Sequence, residues 1–289
     1  VYGESVVMRL LRREAAAQDF SDLGYGPDVE QALLRVLDLP YGILLVTGPT
    51  GSGKSTTLYA ALRHLNTAAR KIIAVEDPVE YNIEGVNQIQ VKPQIGLTFA
   101  NALRSIVRQD PDVIMVGEMR DTETAKIAVQ SALTGHLVLS TLHTNDAAGS
   151  ITRMLDMGVE DYLLASTVNA VMAQRLVRNL CPACREPYAP SPEEARHWRL
   201  ERFTDGADPV LYRAVGCEQC DGIGYRGRSA IVELLVMSEP IRRLVLAHAE
   251  AGRIAQQAAA EGTRSMFEDG LMKSLAGRTT VEEYFSATN

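Results

Sequence analysis

Gly48-Pro49-Thr50-Gly51-Ser52-Gly53-Lys54-Ser55 has the spacing G-x-x-x-x-G-K-S, in which glycines let successive backbone N–H groups turn inward around phosphate oxygens. Lys54 is then placed to neutralise the β and γ phosphates of ATP, and the Ser55 hydroxyl to ligate Mg²⁺. The expected nucleotide-binding residues are Pro49, Thr50, Gly51, Ser52, Gly53, Lys54, Ser55 and Thr56. Two acidic clusters, Glu76-Asp77-Pro78-Val79-Glu80 and Gly117-Glu118, each follow an aliphatic run. The carboxyl ends of parallel strands present such groups to ligands, so either cluster can hold the water shell of the metal or orient an attacking water. Asp77, Asp110 and Asp112 suit capping or a solvated loop as well as chemistry.

Other residues leave two readings open. His136 and His143 bracket the run Leu137 to Ser140, each either a loop histidine bonded to backbone or a phosphate sensor. Arg104 and Arg108 are four apart and share a helix face, as a surface pair with Asp110 or Asp112 or as fingers for the nucleotide of a neighbouring subunit. Cys181-Pro182-Ala183-Cys184 and Cys217-Glu218-Gln219-Cys220 form two C-x-x-C pairs separated by a 32-residue gap. Four thiolates suit a closed tetrahedral Zn²⁺ site, which is structural because it keeps no open position. Two disulfides, or redox chemistry, are the alternatives.

The elements that must position these groups follow from periodicity. Helical spacing predicts a helix over 27–39, then a strand over 42–47, the Gly-rich loop, and a helix over 56–65. The alternation continues with strands over 71–75, 112–116 and 137–140, and with helices over 99–108, 122–133 and after Asn145. Short aliphatic strands interleaved with helices predict an α/β fold with a mostly parallel sheet covered on both faces. Pro182, Pro187, Pro190 and Pro192 predict a loop-rich insert around the cysteines. Beyond it come a β-rich stretch over 230–236 and a helical tail over 241–248, up to Ala260, 265–276 and 281–286.

Apolar residues make up 46% of the 289, which gives enough material for a sizeable core and excludes disordered or collagenous classes. The longest aliphatic runs, such as Ile72 to Val75, fall far short of the ~18 residues needed to span a bilayer, so no direct membrane insertion is expected. The net charge of −7 disfavours unspecific binding to nucleic acid, and no nucleic-acid partner is expected. The start, Val1-Tyr2-Gly3, lacks an initiator Met, and the sequence reads as a piece of a longer chain without a signal peptide.

Together these residues resemble the secretion ATPase superfamily of type II secretion and type IV pilus machines. The likeness rests on the P-loop followed by Thr56-Thr57-Leu58-Tyr59, an aspartate box over Val75 to Tyr81, an atypical Walker B over Arg108 to Glu118, and a histidine box over Thr134 to His136 and Leu142 to Asn145. It implies a RecA-like P-loop NTPase core with a tetracysteine zinc module and a helical C-terminal region. The expected divisions are 1–24 as the remnant of a preceding domain, 25–178 as the core, 179–228 as the zinc module and 229–289 as the helical region. The tetracysteine insert points to the assembly branches and away from pilus retraction; Gln88-x-Gln90-Val91 and Ala173 to Pro182 look most like the type II secretion member, with pilus assembly a close second. Gly117 stands where other P-loop enzymes place a metal-binding Asp, so the resemblance implies Glu118 as main catalytic carboxylate, assisted by Glu80. The histidine box places His143 in the active site, Arg104 and Arg108 join it on the finger reading, and the resemblance adds Arg9, which matches a motif ending the preceding domain. It further implies an ATP-hydrolysing ring, expected to be a hexamer, that powers pseudopilus assembly. The protein is then cytoplasmic and peripheral at the inner membrane, held there by platform and recruiting proteins.

Overall fold

β1 (Gly42–Thr47) is the strand on which the P-loop hangs, and all of its residues are buried. Ile43 and Leu45 enter one core while Leu44 and Val46 enter the other, because successive side chains of a strand point to opposite faces. Each such side chain taken fully from water is worth roughly 1.5 to 3 kcal/mol. A strand apolar on both faces is stable only between two helical layers. The computed structural model, which describes residues 3, 4, 6, 8, 19–204 and 206–288, supplies both. Arg9 and most of the expected 1–24 segment lie outside the described residues.

Among the described residues, seven strands of the main sheet follow the order β3-β2-β4-β5-β1-β6-β9. They are β1, β2 (Ile72–Glu76), β3 (Val86–Gln90), β4 (Val113–Val116), β5 (Leu137–Leu142), β6 (Val168–Leu180) and β9 (Tyr225–Val236). The first six run parallel, and β9 pairs antiparallel with β6. Helices α1 (Pro27–Leu37) and α2 (Lys54–Leu65) cover one face. The other face carries α3 (Phe99–Ile106), α4 (Thr122–Leu133), α5 (Ala147–Asp156) and α6 (Asp161–Thr167). The expected α/β class with a mostly parallel sheet is what the structure has. Among the described residues no helix is long and apolar enough to cross a membrane.

Two strands of the main sheet were not legible from periodicity. β6, V-N-A-V-M-A-Q-R-L-V-R-N-L, is rich in good helix formers, yet β1 and β9 hydrogen-bond to it on both sides and tertiary pairing overrides propensity. β3 is a short edge strand with polar alternation, paired among the described residues only with β2. The helix expected over 99–108 ends at Ile106 and tightens into a 3₁₀ turn, Val107–Gln109, so Arg108 lies beyond the α-helix.

The cysteine-bearing insert grows out of the hairpin formed by β6 and β9. Its chain leaves β6 at Leu180, which pairs with Tyr225 of β9, and holds a small antiparallel pair, β7 (Glu186–Tyr188) and β8 (Leu211–Arg213), with one helix, α7 (Pro192–His197). The residue expected to open the helical region, 229, falls inside β9, a strand of the main sheet. Four helices follow: α8 (Glu239–Leu246), α9 (Ala251–Ala260), α10 (Met266–Leu275) and α11 (Val281–Thr288).

Candidate active site

The Gly-rich loop joins β1 to α2 at the carboxyl end of the sheet. Gly48 has φ 148, and a Cβ there would lie 2.5 Å from the carbonyl oxygen of Gln174. Gly53 caps α2 with φ 90, a left-handed conformation that favours glycine. The loop is braced from β6: Gln174 Nε2 donates to Ser52 O at 2.7 Å, and Thr57 Oγ1 donates to Gln174 Oε1 at 2.8 Å. Gln174 is 1% exposed and fully committed to this task. The first N–H groups of α2 lack intrahelical acceptors, and with the helix dipole they make a ready anion site.

Lys54 Nζ donates to the carbonyl oxygens of Gly48 at 2.8 Å and Pro49 at 3.0 Å, so its ammonium is held over the loop. Burial pulls its pKa below that of an ordinary lysine, and the negative charge of Glu118 opposes the shift. Thr50, Gly51, Gly53, Lys54, Ser55 and Thr56 border a cleft of ≈ 640 Å³, which Asp77, Glu80, Glu118 and His143 also line. Of the expected loop residues, Ser52 is buried beneath the loop, and it and Pro49 do not border the cleft.

Glu118 follows β4 and its side chain is only 12% exposed. Its Oε1 takes an ion pair from Arg120 at 2.5 Å, and its Oε2 lies 3.3 Å from His143 Nε2. Thr141 Oγ1 donates to Gly117 O at 2.7 Å and ties the ends of β4 and β5 together. Glu80 reaches the cleft from the loop after β2, and Glu76, 5% exposed at the end of β2, also borders it. Burial raises the pKa of Glu76, while hydrogen bonds from Tyr59 and Gln88 pull the other way.

Other expected residues lie elsewhere. Arg104 is exposed on α3, paired with Glu123 and with Asn101 Oδ1 at 2.9 Å, and neither it nor Arg108 borders the cleft of its own chain. His136, at the other end of β5, uses Nδ1 on Ser131 O at 2.8 Å, the plain backbone-bonding reading. Asp112 accepts the N–H of Lys71 at 2.6 Å, also a local role. Sequence reasoning passed over Arg120, Leu176 and Arg228, which border the cleft. Arg120, two residues after Glu118, was findable; Leu176 and Arg228 come from distant strands and carry no local signal.

The four cysteines converge. All four Sγ atoms lie within 4.8 Å of one another, with contacts of 3.9 Å (Cys181–Cys217) and 3.8 Å (Cys184–Cys220 and Cys217–Cys220). Zn–S bonds of ~2.3 Å in a tetrahedron require S···S separations of about 3.8 Å, which these match. The thiols are free, not disulfide-bonded. The N–H groups of Cys217 and Gly224 point at Cys220 Sγ, each at 3.2 Å, an arrangement that favours thiolate. The donor set therefore fits a structural zinc.

The family model for type II/IV secretion system proteins matches residues 1–286. The chain belongs to this family. It is 62% identical over 287 residues to type II secretion system protein E of Xanthomonas campestris pv. campestris, covering 99% of this chain and 50% of that protein. With the type IV pilus assembly ATPase PilB of Thermus thermophilus it shares 50% identity, covering 100% of this chain and 32% of that protein. Among solved structures, the pilus retraction motor PilT with bound ADP is similar at 30% identity and a TM-score of 0.70, covering 93% of this chain and 66% of that one. The chain thus spans about half the length of the type II secretion relative.

Proposed function

We propose that this chain is the motor part of an ATPase that powers pseudopilus assembly in type II protein secretion. The observation that carries the reading is the convergence of a braced P-loop, Lys54 and two carboxylates, Glu118 and Glu80, on one cleft at the carboxyl end of a parallel sheet. The higher identity to a type II secretion protein, 62% against 50% for the pilus assembly ATPase, favours secretion over pilus assembly.

In this reading Lys54 leaves its loop carbonyls to neutralise the β and γ phosphates, and the N–H groups of Thr50 to Thr56 cradle them. Mg²⁺, when bound, offsets the negative charge that develops on the phosphates. Ser55, exposed at the first turn of α2, is the residue that would hold it. Glu118 orients the attacking water, with His143 and Arg120 setting its two oxygens, and Glu80 assists. Cys181, Cys184, Cys217 and Cys220 hold a structural Zn²⁺. Arg104 and Arg108, and Arg9 from the preceding domain, complete the site of a neighbouring subunit in a hexamer. The protein works in the cytoplasm at the inner membrane, with platform and recruiting proteins of the secretion machine as partners.

The test is phosphate release from ATP by the full-length protein. Lys54→Ala should abolish turnover, because the charge that neutralises the phosphates is removed, while the circular dichroism spectrum stays that of the parent. Turnover persisting in Lys54→Ala would remove the P-loop from the reaction.

A further inference from the structure

Tyr59, Glu76 and Gln88 come from three different elements and meet beside the cleft. Tyr59 projects from α2, one and a half turns after Lys54, and is 4% exposed. Its hydroxyl donates its one proton to Glu76 Oε2 at the end of β2. The Tyr59 oxygen in turn accepts the N–H of Glu80 at 3.2 Å and that of Tyr81 at 3.5 Å. Gln88, on β3, donates to the other carboxylate oxygen, Glu76 Oε1, at 2.9 Å, and to Tyr81 O at 2.9 Å. Its own amide oxygen accepts the N–H of Ile83 at 2.8 Å. The rings of Tyr59 and Tyr81 pack edge to face, 6.1 Å between centroids.

The backbone of the loop that carries Glu80 is therefore held by side chains rather than by a strand ladder. Four of its polar groups, the N–H of Glu80, Tyr81 and Ile83 and the C=O of Tyr81, end on Tyr59 or Gln88. Glu80 itself is exposed and borders the cleft, so its carboxylate goes where this backbone puts it. Neither Tyr59 nor Gln88 offers a group that must act on the reacting atoms. Their polar capacity is spent on Glu76 and the loop.

We infer that Tyr59, Glu76 and Gln88 form a positioning clamp that sets the Glu80 carboxylate relative to the P-loop helix. Tyr59 is the member that ties the loop to α2, the helix that begins at Lys54, so that a shift of the P-loop helix is passed to Glu80 through one hydroxyl. The inference rests on the reading of Glu80 as a residue that acts on the reacting water.

Tyr59→Phe keeps the buried ring and deletes only the hydroxyl, leaving the Glu80 and Tyr81 N–H groups without that acceptor. In the full-length protein, amide exchange at Glu80 and Tyr81 should quicken by about tenfold, kcat should fall by about tenfold, and KM for ATP should change less than about twofold. Glu80→Gln should lose more, and the double variant should be no slower than Glu80→Gln alone, since a clamp has nothing left to position. Gln88→Met, on the edge strand, should give the same pattern with exchange quickened at Ile83, and serves where Tyr59→Phe does not fold. An impaired Glu80→Gln beside a fully active Tyr59→Phe, or losses that multiply in the double variant, would overturn the clamp alone. Parental turnover by Glu80→Gln would strike at the reading of Glu80 itself and overturn the inference by that route.

Discussion

His143 Nε2 lies 3.3 Å from Glu118 Oε2, and the two side chains follow adjacent parallel strands, β5 and β4. The pairing aims one carboxylate oxygen while Arg120 holds the other. Glu118→Gln keeps the shape but cannot ionise, so Mg·ATP binding should persist and hydrolysis should fall by at least about a hundredfold. His143→Ala leaves the carboxylate in place but unaimed on one side, and kcat should fall by about tenfold with little change in nucleotide affinity. Single-turnover phosphate release with parallel nucleotide titration checks both; equal losses would make His143 a full partner in the chemistry.

Arg104 and Arg108 stand exposed and away from the cleft of their own chain. Specific activity should therefore rise with protein concentration, because assembly is a mass-action equilibrium. Arg104→Ala and Glu118→Gln subunits, each inactive alone, should regain partial activity when mixed, since some interfaces then combine an intact arginine with an intact glutamate. No recovery in demonstrably mixed assemblies would confine Arg104 to its own subunit.

The zinc prediction has a built-in reporter. Trp198, the sole tryptophan, lies in the insert between Cys184 and Cys217 and packs against Phe267 at 5.8 Å and Phe285 at 5.5 Å. Elemental analysis should find one zinc per chain. Chelation or Cys217→Ser should loosen the insert and red-shift Trp198 emission, since structural sites of this kind supply folding free energy outright. Unchanged emission with no metal found would remove the zinc assignment.

Asp269 and Lys273, one turn apart on α10, seal the open edge of β9. Asp269 Oδ2 accepts the N–H of Val232 at 2.9 Å and the ammonium of Lys273 at 2.7 Å, while Lys273 also donates to Ala230 O. Both side chains are 7% exposed, and burial pulls the lysine pKa down against the pull of Asp269. Lys273→Met should cost roughly 3 to 5 kcal/mol, because it strands a buried carboxylate. The double variant Asp269→Ala/Lys273→Met should cost less than the sum of the single changes, as read from urea midpoints.

Acid should act through Glu283 of α11. Arg178 donates to it from Nε at 2.9 Å, from its guanidinium NH2 at 2.6 Å and from its backbone N–H at 3.1 Å, holding the Glu283 pKa below the usual glutamate range against the effect of burial. A depressed folded-state pKa means that the contribution is present above the ordinary value of about 4.3 and is lost as pH falls through the folded value. Glu283→Gln should flatten the acid limb of the stability profile and leave its slope near neutrality alone.

The chemistry-bearing local motifs and the alternation of aliphatic strands with helices were legible by themselves. A P-loop announces itself because contiguous backbone must bend in one way, and C-x-x-C pairs because one ion needs neighbouring thiols. The strand character of β6 was not legible, because V-N-A-V-M-A-Q-R-L-V-R-N-L carries helix-forming residues and becomes a strand only when β1 and β9 satisfy both of its edges. With β6 came its consequences: Gln174 under the P-loop, Leu176 and Arg228 on the cleft wall, and an insert set at the end of a core hairpin. The Tyr59–Glu76–Gln88 cluster joins residues 17 and 12 positions apart through hydrogen bonds that exist only once α2, β2 and β3 are packed. Local spacing encodes what one stretch of chain does alone, whereas long-range partners are set by which strands lie side by side, and that is decided by burial of the whole sheet.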